Sequence, residues 1–294
     1  MTRISRTPKS TPGPWTFEGH YQVLSYPFRV RTTIRGVGLL LDELLGPFRA
    51  AANGHEGPTY DLVSGTGLPS SFAVHLDGEC VESTQSLADS LGFVLWTTNA
   101  RAIDRTADYV ALHSAAVSWE GRGMVFPAPP DSGKTTLAAG LTRSGFDYLT
   151  DEAGLIDPTT RQLVAFPRSL AMEPSSVDIV PGLRGDLPAD FHRYMGDSYF
   201  VPPDRLRPGS IGSSCPIRYV IFPSYRADSP TQLEPISKPQ ALRELAENCF
   251  NFRTFGGRAL EILGAVVKEA ECYRLQIGDL PSAVRTVRNL VGAS

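Results

Sequence analysis

The chain has 294 residues and a formal net charge of −3, with 41% hydrophobic and 20% charged residues, an ordinary globular balance that can bury one large core or two modest ones. It offers no basic excess that would favour nucleic acid or an anionic membrane as a general partner, and no segment nears the roughly 18 consecutive apolar residues of a spanning helix. Cys80, Cys215, Cys249 and Cys272 are scattered with no CxxC pair, which argues against a zinc site or a disulfide framework and suits a reduced, cytoplasmic setting.

Residues 1–14 carry Arg3, Arg6 and Lys9 among Ser, Thr and Pro, without an apolar h-region, and read as a disordered leader. Residues 15–100 read as a small N-terminal α+β domain, or a layer packed on the core that follows. Alternating stretches at 21–24, 28–32 and 72–76 predict strands, and apolar periodicity predicts helices near 37–51 and 86–104. His20, His55 and His75 are too dispersed for a metal site.

From residue 101 onward the pattern sharpens. Tyr109–Val117 reads as a strand, Trp119-Glu120-Gly121 as a turn, and Arg122–Phe126 as a second strand. A hairpin of this kind sets His113 beside the second strand. Next comes Ala128-Pro129-Pro130-Asp131-Ser132-Gly133-Lys134-Thr135, which is GxxxxGK[ST] with alanine at the first glycine. Such a loop curls backbone N–H groups round an anion, sends a lysine to the terminal phosphates, offers a hydroxyl to Mg²⁺ and faces the charge with a helix N-terminus. Asp131, Ser132, Gly133, Lys134, Thr135 and Thr136 supply these parts. Pro129 and Pro130 lack N–H groups, but they occupy the early loop, where the cradle needs no donors. Apolar residues at helical spacing follow through Leu141, with Arg143 in the last turn and Gly145 at the C-cap position.

Phe146–Thr150 reads as another strand, delivering Asp151 and Glu152 at its carboxyl end, 17 residues after Lys134. One helix and one strand bring a chain back to the same sheet edge, where α/β proteins bind ligands. One acid would hold Mg²⁺ and the other would take a proton from an attacking hydroxyl. Residues 158–212 are rich in Pro and Gly and carry Arg168, Glu173, Arg184, His192, Arg193, Asp197, Arg205 and Arg207, the texture of active-site and substrate loops. Arg168 follows the acids closely enough to neutralise charge on a transferred group. Glu173 is a weaker candidate for metal or hydroxyl binding, and His192 with Arg193 for facing substrate. Further on, 217–223 reads as a strand, 239–248 and 256–269 as helices, 272–277 as an edge strand and 281–292 as a closing helix. Arg253 and Arg258 are candidates for nucleotide or phosphate contact. No repeat or heptad is present.

With "LHSAAV" around His113, "DSGKTTLAAGL" after the strand and "GFDYLTDEAGLID" around the acids, residues 109–180 resemble the catalytic domain of the HPr kinase/phosphorylase family. These are P-loop kinases similar in fold to phosphoenolpyruvate carboxykinase. The resemblance implies an α/β fold, a P-loop core with a mixed sheet over residues 101–294, in which the histidine and acids surround the transferred phosphate. Carried across residue by residue, it makes Asp151 the base and Glu152 a group of the Mg²⁺ site; the family has two aspartates, so Glu152 is a departure that leaves this division open. The N-terminal region resembles that of HPr-kinase-related proteins of bacterial biosynthetic clusters, not that of the enzyme acting on HPr, so substrate identity does not transfer.

The expected function is therefore transfer of the γ-phosphoryl group of ATP, or another nucleoside triphosphate, to a hydroxyl acceptor with Mg²⁺ as cofactor. Asp151, His113, Lys134, Glu152 and Arg168 are the expected catalytic residues, with His113 orienting the acceptor or the base. Thr135, Asp151 and Glu152 are the expected metal ligands. The acceptor class stays open between a protein or peptide serine and a small-molecule alcohol. The resemblance also suggests a homo-oligomer. A nucleotide-binding switch and a degenerate pseudokinase are the alternatives.

Overall fold

A computed structural model describes residues 14–52, 57–65, 71–187 and 199–292. The leader through residue 13, His55, His192, Arg193 and Asp197 lie outside the described residues. The chain divides into two compact units, residues 1–98 and 99–294, of mixed α and β structure.

The first unit contains β1 (Phe17–Val23), β2 (Tyr26–Thr32), α1 (Val37–Leu44), β3 (Thr59–Ser64), β4 (Phe72–Leu76), β5 (Glu79–Thr84) and the start of α2 (Leu87–Arg105). Its sheet runs in the order β1-β2-β3-β4-β5, antiparallel throughout except for the parallel pair β2–β3. Alternation explains the first hairpin: Tyr21, Val23, Tyr26, Phe28 and Val30 are buried, and Tyr21 stacks on Phe28 at 5.6 Å. Helix α1 stops well short of residue 51, giving way to a 3₁₀ turn at Gly46–Phe48, because Pro47 cannot continue an α-helix. On β2 and β3, Arg31 and Asp61 are register partners. The Arg31 guanidinium meets Asp61 with both ends, at 2.7 and 2.8 Å, while Trp15 covers it at 4.2 Å.

The second unit is built on β6 (Val110–Trp119), β7 (Arg122–Pro127), α3 (Lys134–Arg143), β8 (Asp147–Thr150), β9 (Ala153–Ile156), β10 (Gln162–Val164) and β11 (Leu170–Met172). The chain continues through α4 (Pro174–Ile179), α5 (Leu183–Asp186), β12 (Tyr199–Val201), α6 (Pro203–Leu206), β13 (Cys215–Tyr225), β14 (Gln232–Pro235), α7 (Lys238–Glu247), α8 (Phe252–Phe255), α9 (Gly257–Glu269), β15 (Glu271–Ile277) and α10 (Leu280–Gly292). The main sheet runs β10-β9-β6-β7-β13-β15-β14, with β8 also on β6. It is mixed: β13 lies parallel to both β7 and β15, and the remaining pairs are antiparallel. Val110, Leu112, Val125, Val220, Leu245, Leu263 and Val267 pack in its core.

Three local features place the site. The β6–β7 hairpin turns on Glu120 and Gly121, both at positive φ, the backbone twist that matches two antiparallel strands. Helix α3 presents Gly140 to α10, where an added Cβ would come within 2.7 Å of Leu280 Cδ1. That close approach fixes the helix that starts at the phosphate-type loop. Strand β15, expected at an edge, is interior, because β14 pairs along its outer side over Gln232–Pro235. The polar pattern of β14 gave no strand signal. Nor are residues 158–212 uniformly loop: β10, β11, β12 and α4 to α6 lie within them.

Candidate functional site: a phosphate-type loop facing an acid pair

Strand β7 ends at Pro127 and the chain enters the loop. Asp131 and Gly133 take positive φ of 61° and 86°, folding the loop back before α3 begins at Lys134. A left-handed turn suits glycine best, and aspartate tolerates it better than most residues. Gly133 is the N-cap and has no side chain to cap the helix. Among the described residues, the N–H groups of Gly133, Lys134, Thr135 and Thr136 donate to no backbone carbonyl. A helix N-terminus with its donors uncommitted is a site for an anion.

Lys134 is buried, and its Nζ donates to the carbonyls of Ala128 at 2.8 Å and Pro129 at 2.7 Å. Ser132 Oγ donates to the same Pro129 carbonyl at 2.8 Å. Burial holds the lysine pKa below its usual value, against the opposing pull of Glu152, Asp151 and Asp131. Pro129 thus contributes an acceptor where it has no donor to give.

Strand order brings the acids to this loop. Strand β6 lies between β7 on one side and β8 with β9 on the other. At its centre His113 accepts from Ala128 N at 3.3 Å and stands opposite Ala153, while Ser114 N donates to the Glu152 carbonyl at 3.1 Å. The Asp151-Glu152 turn therefore faces the loop across one strand. Thr135 Oγ1 donates to Asp151 Oδ2 at 3.3 Å. A hydroxyl on the first helical turn beside a carboxylate is a hard-oxygen donor set of the kind Mg²⁺ takes, together with waters and substrate phosphates. Among the described residues, no group of three or more His, Cys, Asp or Glu is placed to hold a metal ion; of the three expected ligands, Thr135 and Asp151 are in direct contact.

The two acids sit in different surroundings. Asp151 is 2% exposed. Its Oδ1 faces Arg168 Nε at 3.1 Å and the Tyr148 hydroxyl at 3.0 Å. Burial pushes its pKa up, and Arg168 draws it back. The Glu152 side chain is 38% exposed and meets Arg168 Nη1 at 3.5 Å. Burial works against the Arg168 charge, but Asp151 and Glu152 outweigh it and raise its pKa. Tyr148 is fully buried, and burial followed by the Asp151 charge keeps its hydroxyl protonated far above the ordinary phenol range.

The His113 ring packs against the exposed Phe250, with centroids 5.1 Å apart and the planes tilted by 40°. Segment 248–250 is fastened to β6 by His113 N donating to Asn248 O at 2.7 Å and Phe250 N donating to Ala111 O at 2.8 Å. Burial, then Lys134, lower the histidine pKa from its ordinary 6.5 to about 4, so the imidazole is neutral near pH 7.

His113, Lys134, Thr135, Asp151, Glu152 and Arg168, all expected from sequence, thus gather in one place. Thr136 lies one residue further along α3, its hydroxyl 3.0 Å from Ser176 Oγ. Glu173 is exposed at the N-cap of α4, its carboxylate 3.5 Å from Ser175 Oγ. Arg253 and Arg258 are exposed, and no bond joins them to the loop or the acids among the described residues. Tyr148, Ser176 and Phe250 were not singled out from sequence. Only Tyr148 had a usable signal, as a polar-tipped residue in a strand three positions before a carboxylate. Among the described residues no helix is long and apolar enough to cross a membrane. Comparison with protein families and with curated proteins finds no match to this chain.

Proposed function

We propose that the chain is a phosphotransferase of the HPr-kinase-like, phosphoenolpyruvate carboxykinase-like kind, moving the γ-phosphoryl group of ATP or another nucleoside triphosphate to a hydroxyl acceptor. The observation that carries this reading is the meeting of Thr135 and Asp151 at 3.3 Å, because it joins an anion-binding loop to a carboxylate across separate elements. The uncommitted N–H groups of Gly133–Thr136 bind phosphate oxygens. Lys134 exchanges the Ala128 and Pro129 carbonyls for the terminal phosphates. Thr135 and Asp151 hold Mg²⁺, which when bound draws charge from the phosphates.

The surroundings of the acids favour Glu152 over Asp151 for the acceptor proton. Asp151 is enclosed by Tyr148, Arg168 and Thr135, whereas Glu152 keeps oxygens open to solvent beside Lys134. Neutral His113 serves as a hydrogen-bonding neighbour of the acceptor and carries no charge for it. Arg168 spans both acids and holds their spacing. The acceptor is a serine-type hydroxyl of a protein or peptide, or a small-molecule alcohol, and the setting is cytoplasmic.

Mass spectrometry of a lysate incubated with the protein and γ-labelled ATP tests the reading. Labelled product is expected with the wild type and none with Lys134→Ala; product formed at near wild-type rate by Lys134→Ala sinks it. Mg·ATP binding without any labelled product identifies a nucleotide switch. No thermal shift with Mg·ATP identifies a pseudokinase.

A further inference from the structure

Tyr148 is a buried group to which the proposed chemistry assigns no part. Its backbone is fastened to the segment 210–212, with Tyr148 N donating to Ser210 O at 2.7 Å and Gly212 N donating to Tyr148 O at 2.9 Å. The ring is fully buried. Its hydroxyl lies 3.0 Å from Asp151 Oδ1 and 3.0 Å from the Arg168 carbonyl. One proton serves those two acceptors, and both belong to the acid–arginine cluster. Arg168 Nε approaches the same Oδ1 at 3.1 Å. The other oxygen, Oδ2, is left to Thr135 alone among the described side chains.

A carboxylate with free rotation about its last bond exposes either oxygen to a ligand. Here a phenol on β8 donates to one oxygen, and a guanidinium beyond β10, whose Nε–H goes to the Ser169 carbonyl at 3.3 Å, holds the same oxygen as an ion pair. Rotation would break both contacts at a buried carboxylate, where an unsatisfied polar group is costly. The grip therefore determines which oxygen looks toward the loop. Groups that orient a metal ligand in this way commonly change metal affinity by about 10–100-fold when removed.

We propose that Tyr148 is a positioning residue, which with Arg168 locks Asp151 Oδ1 so that Oδ2 faces Thr135 as the metal-binding oxygen. The proposal rests on the phosphate-loop reading above. Tyr148→Phe keeps the ring and removes only the hydroxyl. With a non-hydrolysable ATP analogue present, Mn²⁺ binding measured by electron paramagnetic resonance should weaken about tenfold in Tyr148→Phe. Binding of the same analogue in EDTA, measured by calorimetry, should stay within about twofold, and the melting temperature should change little. Because Thr135→Val removes the other half of the same metal contact, combining it with Tyr148→Phe should cost less than the two single losses multiplied together. Unchanged Mn²⁺ affinity in Tyr148→Phe overturns the positioning role, as does a parallel fall in both affinities and in melting temperature, which marks a merely structural residue. A wild-type protein that binds no Mn²⁺·nucleotide overturns the loop reading itself, and the positioning role with it.

Discussion

Each unit of this protein contains a buried or half-buried arginine–carboxylate cluster, and the two differ in what they leave over. Arg31 and Asp61 close on each other: Nε and Nη2 meet the two carboxylate oxygens at 2.7 and 2.8 Å, adjacent strands carry them in register, and Trp15 lids the guanidinium. Arg168 is instead divided between Asp151 at 3.1 Å and Glu152 at 3.5 Å. That division leaves Asp151 Oδ2 to a loop hydroxyl and the Glu152 carboxylate partly in solvent. A bidentate pair uses both partners' capacity in one contact and acts as a staple between strands. A shared arginine leaves acceptor capacity for a ligand, and it does so beside uncommitted backbone donors. Residual valence, more than the presence of an ion pair, distinguishes the two clusters.

The sharpest way to break that contrast is on the Glu152 side. Glu152→Gln should lower phosphoryl transfer by about 10²–10⁴-fold, the usual yield of a general base, while Mg·ATP affinity from calorimetry stays close to wild type. A fully active Glu152→Gln returns the proton to Asp151. In the first unit the expectation reverses. Asp61→Ala should cost about 2 kcal/mol of stability in chemical denaturation, less than a deeply buried pair because Arg31 is partly exposed, with nucleotide binding unaltered. A change in nucleotide affinity there would show that the closed pair also serves the site.

A smaller effect belongs to His113, whose pKa is lowered by burial and Lys134 from 6.5 to about 4. The native histidine holds its proton less tightly than the unfolded one, so the unfolded chain binds more protons between these values. Stability then falls as pH drops from 6.5 through 4. His113→Asn should flatten that part of a denaturation-versus-pH curve; an identical slope would show the imidazole is not held neutral.

Much of the site could be read from sequence because its parts are local in the chain. The turn at Glu120-Gly121, the loop at Ala128–Thr135 and the acids after β8 each carry their own residue signature, and connecting elements of ordinary length return the loop and the acids to the same end of the sheet, opposite the turn. What could not be read depends on distant partners. Strand β15 looked like an edge because β14, four residues of polar sequence, shows no alternation of buried positions. Strand β3 at Thr59–Ser64 was missed because nearly all of it is buried, so the period-2 signal is lost. The grip of Tyr148 on Asp151 depends on which rotamers meet in three dimensions. Arg168 could be named from sequence as a cation near phosphate, but its sharing between two acids could not.

The resting place of Lys134 has a further consequence. Because the carbonyls of Ala128 and Pro129 already hold the ammonium, the loop is folded round an internal cation before any ligand arrives. On the proposed reading, a polyphosphate entering it would replace two acceptors with its own oxygens and order little new chain. Recognition is then an exchange of partners within a preorganised turn, with a small conformational-entropy penalty. Differences in affinity between related phosphates should be expressed in how slowly they leave rather than in how fast they enter.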